Sequence, residues 1–75
     1  MQQWIFVIYT GGSVRRVLFD GVELGDTGTT LVCSQGVHVV SLQGGPTDPL
    51  QQQVSLSSTS AEFPQEITFS PAAGS

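Results

Sequence analysis

The sequence predicts an all-β fold, a small antiparallel β-sandwich of about six strands. Three observations point there. No segment sustains helical periodicity, and Pro and Gly interrupt the chain too often for a long helix. Apolar runs rich in β-branched and aromatic residues recur between turn signals spaced roughly 8–12 residues apart. The stretch from Val17 to Leu24 also carries Asp20-Gly21, a dipeptide that marks a tight two-residue hairpin turn.

Taken in order, Trp4-Ile5-Phe6-Val7-Ile8-Tyr9 reads as a first strand that ends at Thr10-Gly11-Gly12-Ser13. It is apolar on both faces, so either both are covered or one is spare for a partner. The Asp20-Gly21 turn then pairs Phe19 with Val22, Leu18 with Glu23 and Val17 with Leu24. Side chains alternate along a strand, so Val17, Phe19, Val22 and Leu24 are expected on one face and Arg16, Leu18 and Glu23 on the other. Thr29 to Leu42 reads as a second hairpin, turning at Ser34-Gln35-Gly36-Val37. Gly44-Gly45-Pro46-Thr47-Asp48-Pro49 is a breaker cluster. Beyond it, Leu50 to Leu56 alternates, with Leu50, Val54 and Leu56 facing in and Gln51, Gln53 and Ser55 out. Phe63 to Phe69 makes the last strand, with Phe63, Ile67 and Phe69 in register and Pro64 at its entry. The organisation expected is one domain over residues 1–70 and a fraying tail over residues 71–75.

The chain has 75 residues, enough for a single core. A single cysteine, Cys33, excludes an intrachain disulfide. Charged residues make up only 11 %, against a typical ~25 %. There is no lysine, Arg15 and Arg16 are the only cations, and the net charge is −4. That balance argues against nucleic-acid binding, which rests on clustered Lys and Arg. The Trp4–Tyr9 run is far shorter than the roughly 20 residues that span a bilayer, so no membrane insertion is expected. No signal peptide is visible, because no basic segment precedes the run and no small-residue cleavage site follows it. With Met1 as a native start the expected location is the cytoplasm. As a module of a longer secreted chain it is the cell surface.

Val17-Leu18-Phe19-Asp20-Gly21-Val22-Glu23-Leu24-Gly25-Asp26-Thr27 resembles the V-x-V-D-G-x-x-x-G-x-T core of PEGA domains, and Gly36-Val37-His38-Val39-Val40 is similar to their G-x-H-x-V segment. The resemblance implies a small transthyretin-like or immunoglobulin-like sandwich. It also implies a structural or binding module, found in cell-surface proteins and appended to signalling proteins, rather than an enzyme. By the same analogy His38, Val40 and Leu42 face inward with Leu31 and Cys33. A four-residue loop over Ser34–Val37 allows that facing, and a three-residue loop with Gly36 in a bulge reverses it. Val32, Val37 and Val39 are apolar too, so the hydrophobic pattern leaves both open.

Candidate chemistry is sparse. Cys33 and His38 fall opposite each other across the second hairpin, which raises a nucleophile–base dyad. No cation or orienting group lies near in sequence, and a free Cys is commonly a small buried hydrophobe. The pair also falls short of the four ligands of structural zinc. Asp20, Glu23 and Asp26 cluster around the first hairpin, but calcium takes six to eight oxygens wrapped around a loop, and Asp20 is needed by the turn. Arg16 lies diagonal to Glu23 as an exposed ion pair. Gly11-Gly12 and Gly44-Gly45 lack the Lys-Ser/Thr that follows a phosphate loop. No catalytic, cofactor-binding or metal-ligating residue is therefore assigned.

The function expected is a non-enzymatic structural or protein-interaction module. The alternative is a carbohydrate- or cell-wall-binding sandwich that uses Trp4, Phe6 and Tyr9 with the amide-rich strands. The partners expected are a second copy of the chain, meeting through Trp4–Tyr9, and a protein or glycan. Self-association is expected because that run is uncharged and strongly β-prone, with none of the charges, bulges or covers that protect an edge strand.

Overall fold

The computed structural model describes residues 2–72. Eight strands follow one another: β1 (Gln2–Tyr9), β2 (Arg16–Phe19), β3 (Val22–Asp26), β4 (Thr30–Ser34), β5 (Gly36–Leu42), β6 (Thr47–Asp48), β7 (Gln51–Leu56) and β8 (Gln65–Pro71). They form two four-stranded sheets, sheet I in the order β4-β1-β8-β6 and sheet II in the order β3-β2-β5-β7. The all-β sandwich expected from the sequence is the fold. All neighbours are antiparallel except β1 and β8, which run parallel. In an immunoglobulin constant domain the first two strands share a sheet. Here they lie in opposite sheets.

The core is the layer between the sheets. Sheet I contributes Ile5, Val7, Ile67 and Phe69, and sheet II contributes Val17, Val40, Leu42 and Leu56. Each set follows the period of two that a half-buried strand requires. Along β1 the inward phase is Gln3, Ile5 and Val7, which leaves Trp4, Phe6 and Ile8 on the outer face, partly exposed. β1 has neighbours on both sides, so the expectation of an unprotected edge is corrected. Its backbone groups are taken up by β4 and β8.

Asp20 and Gly21 both have positive φ, 53° and 81°, as the tight turn demands. Phe19 pairs with Val22 and Leu18 with Glu23 as expected, but Val17 pairs with Gly25 instead of Leu24. Leu24 is the extra residue of a bulge, and it packs against the core. Val22, expected on the core face, is 68 % exposed at the tip of an edge strand.

The second hairpin does not form. β4 pairs with β1 in sheet I and β5 lies between β2 and β7 in sheet II, so the chain changes sheets at Gln35. The inward facing of Val40 and Leu42, with Leu31 and Cys33 packed against the core, is nevertheless present. It is reached through two separate ladders. Further along, Leu50 is 70 % exposed and Phe63 is 77 % exposed, so neither joins the core as expected. Leu50 precedes β7, and Phe63 sits in a turn where its N–H bonds to the Ser60 carbonyl (3.1 Å). The breaker cluster contains the short strand β6, which pairs Thr47 with Pro71 and Asp48 with Ser70. Pro71, expected in the tail, therefore belongs to β8, and the last three tail residues lie outside the described residues.

Candidate functional site

The corner between β4 and β5 joins a carboxylate, an imidazole and a hydroxyl. The Asp20 carboxylate reaches from the hairpin turn and accepts the Val39 N–H through Oδ1 at 2.9 Å, while Oδ2 meets His38 Nδ1 at 2.6 Å. The other ring nitrogen, Nε2, lies 3.3 Å from both Ser34 Oγ and the Gln35 carbonyl oxygen. The ring rests against Phe19, with centroids 4.3 Å apart. The Val39 N–H, then His38, hold the Asp20 carboxyl below its ordinary range. Asp20 is also the main cause that raises His38. The positions thus fall in the order carboxylate, imidazole, hydroxyl, as in a hydrolytic triad. A triad needs Nε2 unprotonated so that it accepts the hydroxyl proton. Here a carboxylate at Nδ1 and a carbonyl at Nε2 both favour the doubly protonated ring, which donates in both directions. The arrangement ties the hairpin turn to the sheet-switching corner.

The expected opposition of Cys33 and His38 is absent, because the two residues lie on strands of different sheets. The residue of β4 that reaches His38 is Ser34. The Cys33 thiol instead donates to the Gln3 carbonyl at 3.7 Å, and burial pushes its pKa up. Nor do the three carboxylates converge. Glu23 (3.4 Å) and Asp26 (3.0 Å) both pair with Arg16, whereas Asp20 faces His38. Among the described residues no three His, Cys, Asp or Glu side chains are grouped to hold a metal ion.

The aromatic trio separates. Tyr9 packs against the core and is covered by the Arg15 guanidinium, 4.7 Å from its ring centre. Arg15 is itself fixed by the Gln43 carbonyl (2.7 Å) and the Gly45 carbonyl, so it fastens the segment after β5. Trp4 and Phe6 share the outer face of sheet I but enter different grooves. A groove of about 320 Å³ follows Phe6 and Ile8 to Val14, which is 72 % exposed. A larger one, about 460 Å³, opens where the start of β1 meets the Gln35 corner and the connection from β7 to β8. Its lining is Trp4 with Gln2, Gln3, Gln35, Ser57, Ser58 and Thr59.

This second groove rests on a buried polar knot. The Gln3 side chain is 2 % exposed, and its Oε1 accepts from the Thr59 N–H (3.0 Å) and the Thr59 hydroxyl (2.6 Å). That hydroxyl accepts in turn from the Trp4 N–H at 2.8 Å. The knot lashes the 57–59 connection to β1, a contact across 56 positions of sequence that no local pattern announces. A Gln in the inward phase of an apolar strand was its one visible sign. No family model, curated protein or solved structure was found to match this chain.

Proposed function

We propose that this chain is a non-enzymatic interaction module of PEGA-like type, and that it associates with a second copy of itself through the outer face of sheet I. The observation that supports this reading is the row Trp4, Phe6 and Ile8 along a central strand, continued by exposed Val32 on β4 and by Val14. The only charged residues in the four strands of this sheet are Glu66 and Asp48. Arg15, Arg16, Asp20, Glu23 and Asp26 lie on or beside β2 and β3 of the other sheet. The face is sparsely charged, but its two carboxylates have no cation beside them and Glu66 lies in register with Phe6, so the contact rests on the apolar row and not on charge. A two-fold axis would lay one row across the other. The contact is face to face, because β1 has no free edge.

Sedimentation equilibrium tests it. At high micromolar concentration the wild type is expected to be a dimer, and Phe6→Lys a monomer with an unchanged strand spectrum by circular dichroism. Substituting Ile5 or Val7 would not test the contact, since both are fully buried. A monomeric wild type at that concentration overturns self-association.

A further inference from the structure

The geometry points to the Trp4 groove as a binding site for a neutral oligosaccharide. This rests on the reading of the chain as a binding module, and because Trp4 belongs both to the groove and to the row proposed to meet a second copy, sugar binding and self-association compete for it.

Sugar recognition needs an apolar face for the ring and, around it, groups that both donate and accept hydrogen bonds. Phe6 and Tyr9 meet the second requirement less fully. Ser13 is the one exposed polar side chain lining the groove beside Phe6, Thr27 being buried, and Tyr9 is covered by Arg15. Trp4 meets it. The Trp4 groove is lined by the exposed residues Gln2, Gln35, Ser57 and Ser58, which carry two amides and two hydroxyls. Each offers both a donor and an acceptor, as a sugar hydroxyl requires of its partner. The groove holds about 460 Å³, within the roughly 300–1,000 Å³ typical of small-ligand sites.

No charged side chain lines it. A phosphate, carboxylate or cation would therefore find no counter-charge, whereas an uncharged ligand loses nothing.

Two further features show that the site is built. Gln3 and Thr59 hold the 57–59 connection against β1 through the buried knot, so the groove wall is fixed before any ligand arrives. Within that wall Ser58 has φ +59°, a left-handed conformation uncommon outside Gly, Asn and Asp. Such backbone strain is concentrated at ligand sites, where surrounding contacts over-determine it.

Trp4 is the only tryptophan, so intrinsic fluorescence reports directly on the groove. The full chain should be titrated with four neutral probes: cellotetraose, maltotetraose, tetra-N-acetylchitotetraose and a β-1,3-glucan tetramer. A proline-rich decapeptide serves as the competing class of ligand. Amide chemical shifts are followed in parallel. At least one saccharide is expected to saturate a blue shift of Trp4 emission and to move the amides of Gln2, Trp4, Gln35, Ser57, Ser58 and Thr59. Because the groove is uncharged, the affinity should not change with salt. Trp4→Ala, read by chemical shifts, and Gln35→Ala are each expected to weaken binding about tenfold or more. Gln35 is exposed, so its variant guards against a Trp4 variant that fails to fold. Val22→Ala, in the opposite sheet, should bind as wild type.

The site is refuted if none of the saccharides moves these amides, if the decapeptide alone does, or if Gln35→Ala and Trp4→Ala leave saccharide affinity intact. The same titration of monomeric Phe6→Lys, whose substitution lies outside the groove, separates a covered Trp4 from a missing site. A null there removes the sugar site, while a dimeric wild type leaves the interaction module standing.

Discussion

The β2–β3 hairpin and the β4–β5 corner look alike in sequence and fold differently. Both place a glycine between two apolar runs. Around Asp20-Gly21 the runs pair with each other, and β2 and β3 are the only consecutive strands among those described that share a ladder. Around Gln35-Gly36 the runs leave for opposite sheets. The difference lies in the link. Asp20 and Gly21 supply the two positive-φ residues that a tight hairpin turn needs, whereas β4 and β5 are joined through Gln35 alone. Local turn chemistry decides the first case, and competition from distant strands decides the second. β1 offers β4 a register of five paired residues, and β7 offers β5 six.

The largest test of this contrast uses one substitution in both regions. Val40, on β5, is fully buried between the sheets, while Val22, at the hairpin tip, is 68 % exposed. Val40→Ala is expected to cost roughly 2–3 kcal/mol from two lost methyl groups and the cavity they leave. Val22→Ala should stay within about 0.5 kcal/mol of wild type. Urea unfolding followed by Trp4 fluorescence measures both. Equal losses would mean that the hairpin tip is packed after all.

That pair of valines also shows what was legible in the sequence. Alternation identified Val17, Leu56, Ile67 and Phe69 as inward, because a half-buried strand leaves a period of two in its residues, whereas Val40 and Leu42 were inward only by the family analogy. The same alternation misplaced Val22, Leu50 and Phe63. Each lies at or just beyond the end of a strand, where the period continues in sequence but the opposing sheet does not. The Asp20–His38 contact, across 18 positions, and the Gln3–Thr59 knot were illegible for another reason. They join segments whose proximity is created by the order of strands in the sheets, and no neighbouring residue records that order. Trp4 was legible as an aromatic of the first strand. Its polar company was not, because Gln35 and Ser57–Ser58 arrive from two other connections.

A smaller effect separates the two glycines. Gly21 sits at φ +81° and Gly36 at φ +119°, the latter much farther from the left-handed basin near +57° that other residues can enter. An added Cβ would meet nothing within 4 Å at Gly21 and only His38 Nε2, at 3.8 Å, at Gly36. Both costs are therefore conformational. Gly21→Ala is expected to lose about 1 kcal/mol and Gly36→Ala up to about 3 kcal/mol. Thermal unfolding of the two variants gives the order. If Gly21→Ala is the more damaging, the hairpin turn and not the corner is the more demanding piece of backbone.

The smallest expected effect concerns the bond that joins the two regions. His38 is raised from its ordinary 6.5, so the stability it contributes as an imidazolium is present below that value and is lost as pH climbs through the raised one. Asp20 is lowered from its ordinary 3.8, so its contribution is present above that value and is lost as pH falls through the lowered one. Both members are charged between these limits, and stability should form a plateau from about pH 4 to 6.5 with a shallow decline on the alkaline side. The Asp20 carboxylate is half-exposed, so the decline should weaken at high salt. Arg16, which joins β2 to β3 through Glu23 and Asp26, stays charged throughout and adds no slope in this window. Asp20→Asn keeps an acceptor for the Val39 N–H but removes the charge that faces His38. Its stability should be nearly flat from pH 6 to 9. A wild type that is flat over this range, or an Asp20→Asn protein that declines as steeply as wild type, would show that the charge of His38 does not hold the corner to the hairpin.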